Sequence, residues 1–212
     1  MTIGEMHSEF ERKLRNLDVV IDAPTSEISN IFYEALYKFI DKYYETFEED
    51  ERSRKALSLL TINDADVTIT DASPQIVPNS YKATIPTDPE LLYTVLELAT
   101  IDSNVVMVKP ITLDAYRTNL NNPFRKPWKN LVWRLDIIPN GDTKYHILVA
   151  DSTAEITNYQ LGYIKVPTKY TIEDDYDEEM EVPEIFQYEI IDMAIEMFLQ
   201  SHNILNSNKQ NV

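Results

Sequence analysis

Cysteine is missing from all 212 residues, which excludes a disulfide framework, a thiolate metal site and a thiol nucleophile together. The chain is therefore indifferent to the redox state of its compartment. Glycine is scarce: Gly4, Gly141 and Gly162 stand far apart, whereas phosphate-cradling and dinucleotide-binding loops need several glycines within about eight residues. Histidine occurs only as His7, His146 and His202, none of them in a H-E-x-x-H frame. No serine lies in G-x-S-x-G, and carboxylates are so abundant that no pair stands out as acid and base. These absences predict a protein without catalytic residues, cofactor or metal.

Long apolar runs are missing as well. The longest, Leu91 to Ile101, is interrupted by Glu97 and reaches about half the roughly 20 residues that span a bilayer. Met1 to Leu17 is charged and amphipathic, without the apolar centre of a signal peptide. The expectation is a soluble protein made in a cytoplasm.

Cations are outnumbered, 19 Lys and Arg against 36 Asp and Glu, for a net charge of -17. Such a chain repels nucleic acid and anionic membrane, because both need cations for counterion release and phosphate pairing. Its expected partners are other proteins. The excess is concentrated between Glu173 and Glu184, twelve residues that hold eight carboxylates, Glu173, Asp174, Asp175, Asp177, Glu178, Glu179, Glu181 and Glu184, and no cation. A calcium loop starting at Asp175 would put Met180 where the sharp turn needs glycine and Phe186 where the bidentate carboxylate belongs, so that reading fails. Two readings stand: a solvated loop before a helix whose positive end favours carboxylates, and an electrostatic docking strip formed by Glu173 to Glu181.

The complementary feature is Asn121 to Asn130, which holds Phe124, Arg125, Lys126, Trp128 and Lys129 together with two prolines. Aromatics interleaved with cations can stack bases, but long-range repulsion opposes that in so acidic a chain. A proline-stiffened loop covering a sheet edge is one alternative. An interface anchor is the other, since Trp, Phe and Arg dominate protein hot spots.

Periodicity supplies the frame. Thr2 and Glu5 stand in capping-box spacing ahead of Ile3, Met6, Phe10 and Leu14, predicting a helix from about Ile3 to Asn16. A longer helix begins at Thr25 or Ser26 and buries Ile28, Ile31, Phe32, Leu36, Phe39 and Tyr43; a short third covers Arg52 to Leu60. From Asn63 onward prolines separate runs rich in Val, Ile, Thr and Tyr, predicting strands at 66–70, 81–85, 93–99, 104–108, 131–138, 144–150 and 160–166. Pro139-Asn-Gly-Asp142 reads as the turn of a hairpin. A closing helix runs from about Pro183 to Ser201 with Phe186, Ile190, Ile191, Ala194 and Phe198 on one stripe.

The expected class is α+β, with N- and C-terminal amphipathic helices packed together around an inserted antiparallel β-sandwich or small barrel. The expected division is a helical part at 1–62, an inserted β region at 63–172, and an acidic loop, helix and tail at 173–212.

Several segments carry a resemblance: Thr2 to Phe10, Tyr43 to Phe47, Val108 to Tyr116, Asn122 to Pro127, Tyr159 to Pro167 and Val182 to Met197. In this order the chain resembles the head-to-tail connector proteins of crAss-like tailed bacteriophages. The resemblance implies a structural virion protein without catalysis, forming a ring of twelve copies between portal and tail, with the portal and adjoining rings as partners. DNA would pass nearby without specific binding. The rival reading is an acidic monomeric adaptor or DNA mimic that inhibits a basic host protein. A metal-dependent hydrolase built on scattered carboxylates is the third.

Overall fold

The computed structural model describes residues 1–65, 67–71, 80–120, 122, 124–137, 144–151 and 155–202. In chain order the elements begin with α1 (Ile3–Asn16), α2 (Thr25–Tyr44) and α3 (Glu51–Ala56), followed by β1 (Thr61–Ala65), β2 (Thr68–Asp71), β3 (Ser80–Thr84), β4 (Leu91–Ile101) and β5 (Asn104–Ile111). Then come α4 (Leu113–Asn119), β6 (Leu131–Ile137), β7 (Tyr145–Val149), β8 (Ile156–Lys165) and α5 (Glu184–Ser201). They form two compact units, one of residues Met1–Leu60 with Pro167–Val212, the other of Thr61–Val166.

The first unit is helical. Thr2 Oγ1 accepts from Glu5 N–H at 3.2 Å while the Glu5 carboxylate accepts from Thr2 N–H at 2.8 Å, so the capping box closes at both ends. The stripe of α1 is buried at Met6, Phe10 and Leu14. Phe10 lies 5.3 Å from the Phe32 ring and 5.7 Å, edge-on, from the Phe198 ring, which ties α1 to both long helices. Phe39 and Tyr43 of α2 pack on Phe186 of α5. The two terminal helices thus share one core with α2, as the stripes predict. The third helix is shorter than its periodicity suggests, because Leu57 and Leu60 are buried from the turn that follows it.

The second unit is one eight-stranded sheet in the order β1-β8-β4-β5-β6-β7-β3-β2. Its pairs are antiparallel except β5 with β6, which run parallel. A parallel neighbour needs a crossover of a dozen or more residues, and α4 with the loop after it supplies that link. The periodicity did not predict α4, and the expectation of a wholly antiparallel sheet is corrected at this pair. The outermost strands, β1 and β2, are separated by only residues 66–67, and β2 comes within contact of β8. The sheet therefore curls into a half-barrel whose two edges are consecutive in the chain but do not pair with each other, one curled sheet in place of the two facing sheets of a sandwich. Inside the curl, alternate residues such as Ala83, Ala99, Val106, Val132, Leu148 and Leu161 make one core. Outside it, Tyr116 of α4 covers Trp133, Leu135, Ile147 and Val149.

β6 and β7 pair antiparallel, as a hairpin requires. The turn expected at 139–142 lies outside the described residues, as do the start of the strand expected at 66–70, the end of that expected at 131–138, and the tail after His202.

Candidate functional site

The acidic strip does not run free through solvent. Ile3 N–H donates to the Glu178 carbonyl and Gly4 N–H to the Tyr176 carbonyl, each at 2.9 Å. Glu173 accepts from the Thr25 hydroxyl, and Ser29 Oγ accepts from Ile172 N–H at 3.2 Å. The strip therefore lies across the N-terminal ends of α1 and α2, where orphan N–H groups and the positive ends of two helix dipoles stabilise carboxylates. Asp174 and Asp175 accept from Thr171, and Glu181 from Thr168 N–H. The carboxylates of Asp177, Glu178 and Glu179 are exposed and form no ion pair or side-chain hydrogen bond among the described residues. Tyr176 beside them is 50 % exposed.

The cationic loop leaves α4 through a turn in which Asn122 accepts from Phe124, Arg125 and Lys126 N–H groups. Phe124 is 96 % exposed and Trp128 51 %. Arg125, Lys126 and Lys129 are exposed and without an ion pair among the described residues. Trp128 forms an isolated bridge with Leu131, and Leu131 is in register with Met107 of β5. The loop and the outer face of β5 are thus neighbours. On that face Val105 is 66 % and Met107 72 % exposed, an apolar strip that α4 leaves uncovered.

A polar cluster inside the curl was not read from the sequence. Arg134 of β6 lies 2.8 Å from Glu97 of β4, with side chains 10 % and 8 % exposed. The Tyr159 hydroxyl of β8 donates to Glu97, and His146 Nδ1 of β7 lies 2.8 Å from that hydroxyl oxygen. With Tyr159's one hydrogen committed to Glu97, Nδ1 must carry the hydrogen of the His146 contact. Burial, helped by the Arg134 charge, pulls His146 down to about 3, so it is neutral. Burial, then Glu97, pushes the Tyr159 hydroxyl far up. The signal was present in Glu97, a charge at an inward position of an alternating strand, but its partners lie 37 or more residues away. Each of the four side chains is held by a partner on another strand. Among the described residues no three His, Asp or Glu side chains are grouped to hold a metal ion, and no helix is long and apolar enough to cross a membrane.

Glu97, Arg134, His146 and Tyr159 meet inside the curl, whereas the charges and apolar side chains at 105–107 and 124–129 face outward, a surface of the kind that partner molecules cover. The family model CrAss ring 3/4, described as phage tail ring protein 3/4, matches residues 25–209. The chain belongs to that family of structural phage ring proteins. No curated protein matches it.

Proposed function

We propose that this protein forms one ring of the phage head-to-tail connector, between portal and tail, where its copies enclose a passage for DNA by assembly and without catalysis. Membership of the phage tail ring family over residues 25–209 carries the reading. The charge supports it physically: a lumen rich in carboxylates passes DNA by repulsion, whereas a basic wall would grip the phosphate backbone. A dodecamer at -17 per copy would carry -204, so subunit contacts must offset that repulsion locally. Isolated subunits accordingly stay monomeric and close into a ring on their template.

Electron microscopy of the full chain mixed with its portal tests this. The expected result is a closed ring coaxial with the portal. Light scattering without portal, at about 20 and 500 mM salt to span the screening regimes, is expected to give a monomer. A compact one-to-one complex with a basic partner, and no ring, would overturn the reading.

A further inference from the structure

We infer that the uncovered outer face of β5, with the cationic loop beside it, is the seat for residues 173–181 of a second copy of this chain. The inference rests on the ring reading and names the contact that would close it. The receiving surface combines four exposed apolar side chains, Val105, Met107, Phe124 and Trp128, with cations at Lys109, Arg125, Lys126 and Lys129. Val105 and Met107 face outward because Val106 and Val108 fill the interior of the curl. The register of Met107 with Leu131, which bridges to Trp128, makes hairpin and loop one surface.

The ligand segment has the opposite charge and is already rigid. The bonds from Ile3 and Gly4 to the carbonyls of Glu178 and Tyr176 hold its backbone, so little ordering entropy is lost when it is bound. Asp177, Glu178 and Glu179 then oppose the loop cations, and the half-exposed Tyr176 meets the apolar strip. Pairing the receiving face with itself would set its cations against their own copies. Nucleic acid on that face is opposed by the chain's net charge. Two different patches on one chain make a head-to-tail contact, the kind that closes into rings.

The test uses full-length chain carrying a photo-crosslinking residue in place of Met107, mixed with isotopically heavy parent and assembled on portal. The expected product is a heavy–light crosslink to the peptide spanning 170–181. Crosslinks in assembled rings confined to single chains or to another peptide would overturn the inference and leave the ring reading standing. Failure of the parent to form a ring would overturn the ring reading, and the inference with it. In parallel, Arg125→Glu, Lys126→Glu and Lys129→Glu together should raise the concentration needed for half assembly by about tenfold or more. Glu178→Lys with Glu179→Lys should recover part of that loss. Trp128→Ala should weaken assembly more than Lys129→Ala, because rim charges set register while buried aromatics supply affinity. A triple reversal that assembles like the parent would sink the proposed contact.

Discussion

Glu97 and Arg134 meet 2.8 Å apart inside the curled sheet, joining β4 to β6 across the intervening β5. Removing one member of such a pair leaves an uncompensated buried charge, whereas replacing both by apolar residues does not. Arg134→Met should cost about 3–5 kcal/mol in urea unfolding. Arg134→Met combined with Glu97→Leu should cost less than Arg134→Met alone.

The same cluster makes stability depend on pH. His146 is held near 3 in the folded chain, against about 6.5 when unfolded. Between those values the unfolded chain binds a proton that the folded chain refuses. The contribution is therefore complete above about pH 6.5 and lost as pH falls toward 3, at up to about 1.4 kcal/mol per pH unit. His146→Gln should flatten this slope when urea midpoints are compared between pH 4 and 8. Tyr159 acts at the other end: its raised pKa preserves stability up to about pH 10, and stability then falls as the unfolded chain ionises.

Ile191 is fully buried in α5, while Ile185 on the same helix is 65 % exposed. Ile191→Asp buries an unpaired charge and should cost several kcal/mol, comparable with a small domain's whole margin. Ile185→Asp should fall within about 0.5 kcal/mol of the parent. Thermal melts of the two variants check the contrast.

Gly4 sits in the first turn of α1 directly beneath the Tyr176 ring, where an added Cβ would lie 2.3 Å from the nearest ring atom. Gly→Ala in a helix ordinarily stabilises by about 1 kcal/mol. Here that gain should vanish, because the ring must swing away. In a Tyr176→Ala background Gly4→Ala should become stabilising, and a double-mutant cycle measures the coupling.

The two-residue turn between β4 and β5 holds Asp102 at φ 45° and Ser103 at φ 71°. This is the mirror-image hairpin geometry that favours glycine or asparagine. Ser103→Gly should raise stability by about 1 kcal/mol by relieving the left-handed strain, read as a shift in urea midpoint.

The features legible in advance are local ones. The capping box of Thr2 and Glu5 spans three residues, and the stripe Met6, Phe10, Leu14 spans two turns, so spacing alone announces both. Most strands were likewise visible, because Val, Ile and Tyr alternate along them. The first strand was missed because Asn63 and Asp64 are exposed within it and only pairing with β8 makes the segment extended. The helix α4 was missed because seven residues are too few for periodicity to show. The resemblance to crAss-like connector proteins and the family match agree at the level of a crAss-like phage ring protein.

The acidic strip and the cationic loop were conspicuous in composition, but their settings were not. That Glu173 and the 176–178 backbone meet the N-termini of α1 and α2 depends on contacts between residues nearly 150 or more positions apart. Glu97 read only as a break in an apolar run until four strands brought Arg134, His146 and Tyr159 to it.

By itself the sequence determined what short-range physics can encode: where helices begin, which face of each helix or strand is apolar, and where the negative charge is concentrated. The tertiary structure alone decided the parallel β5–β6 pair, the curl that makes β1 and β2 its edges, and the partner of each buried charge. Those depend on chain closure over long separations, where many arrangements satisfy the same local pattern and only simultaneous burial and hydrogen bonding select one.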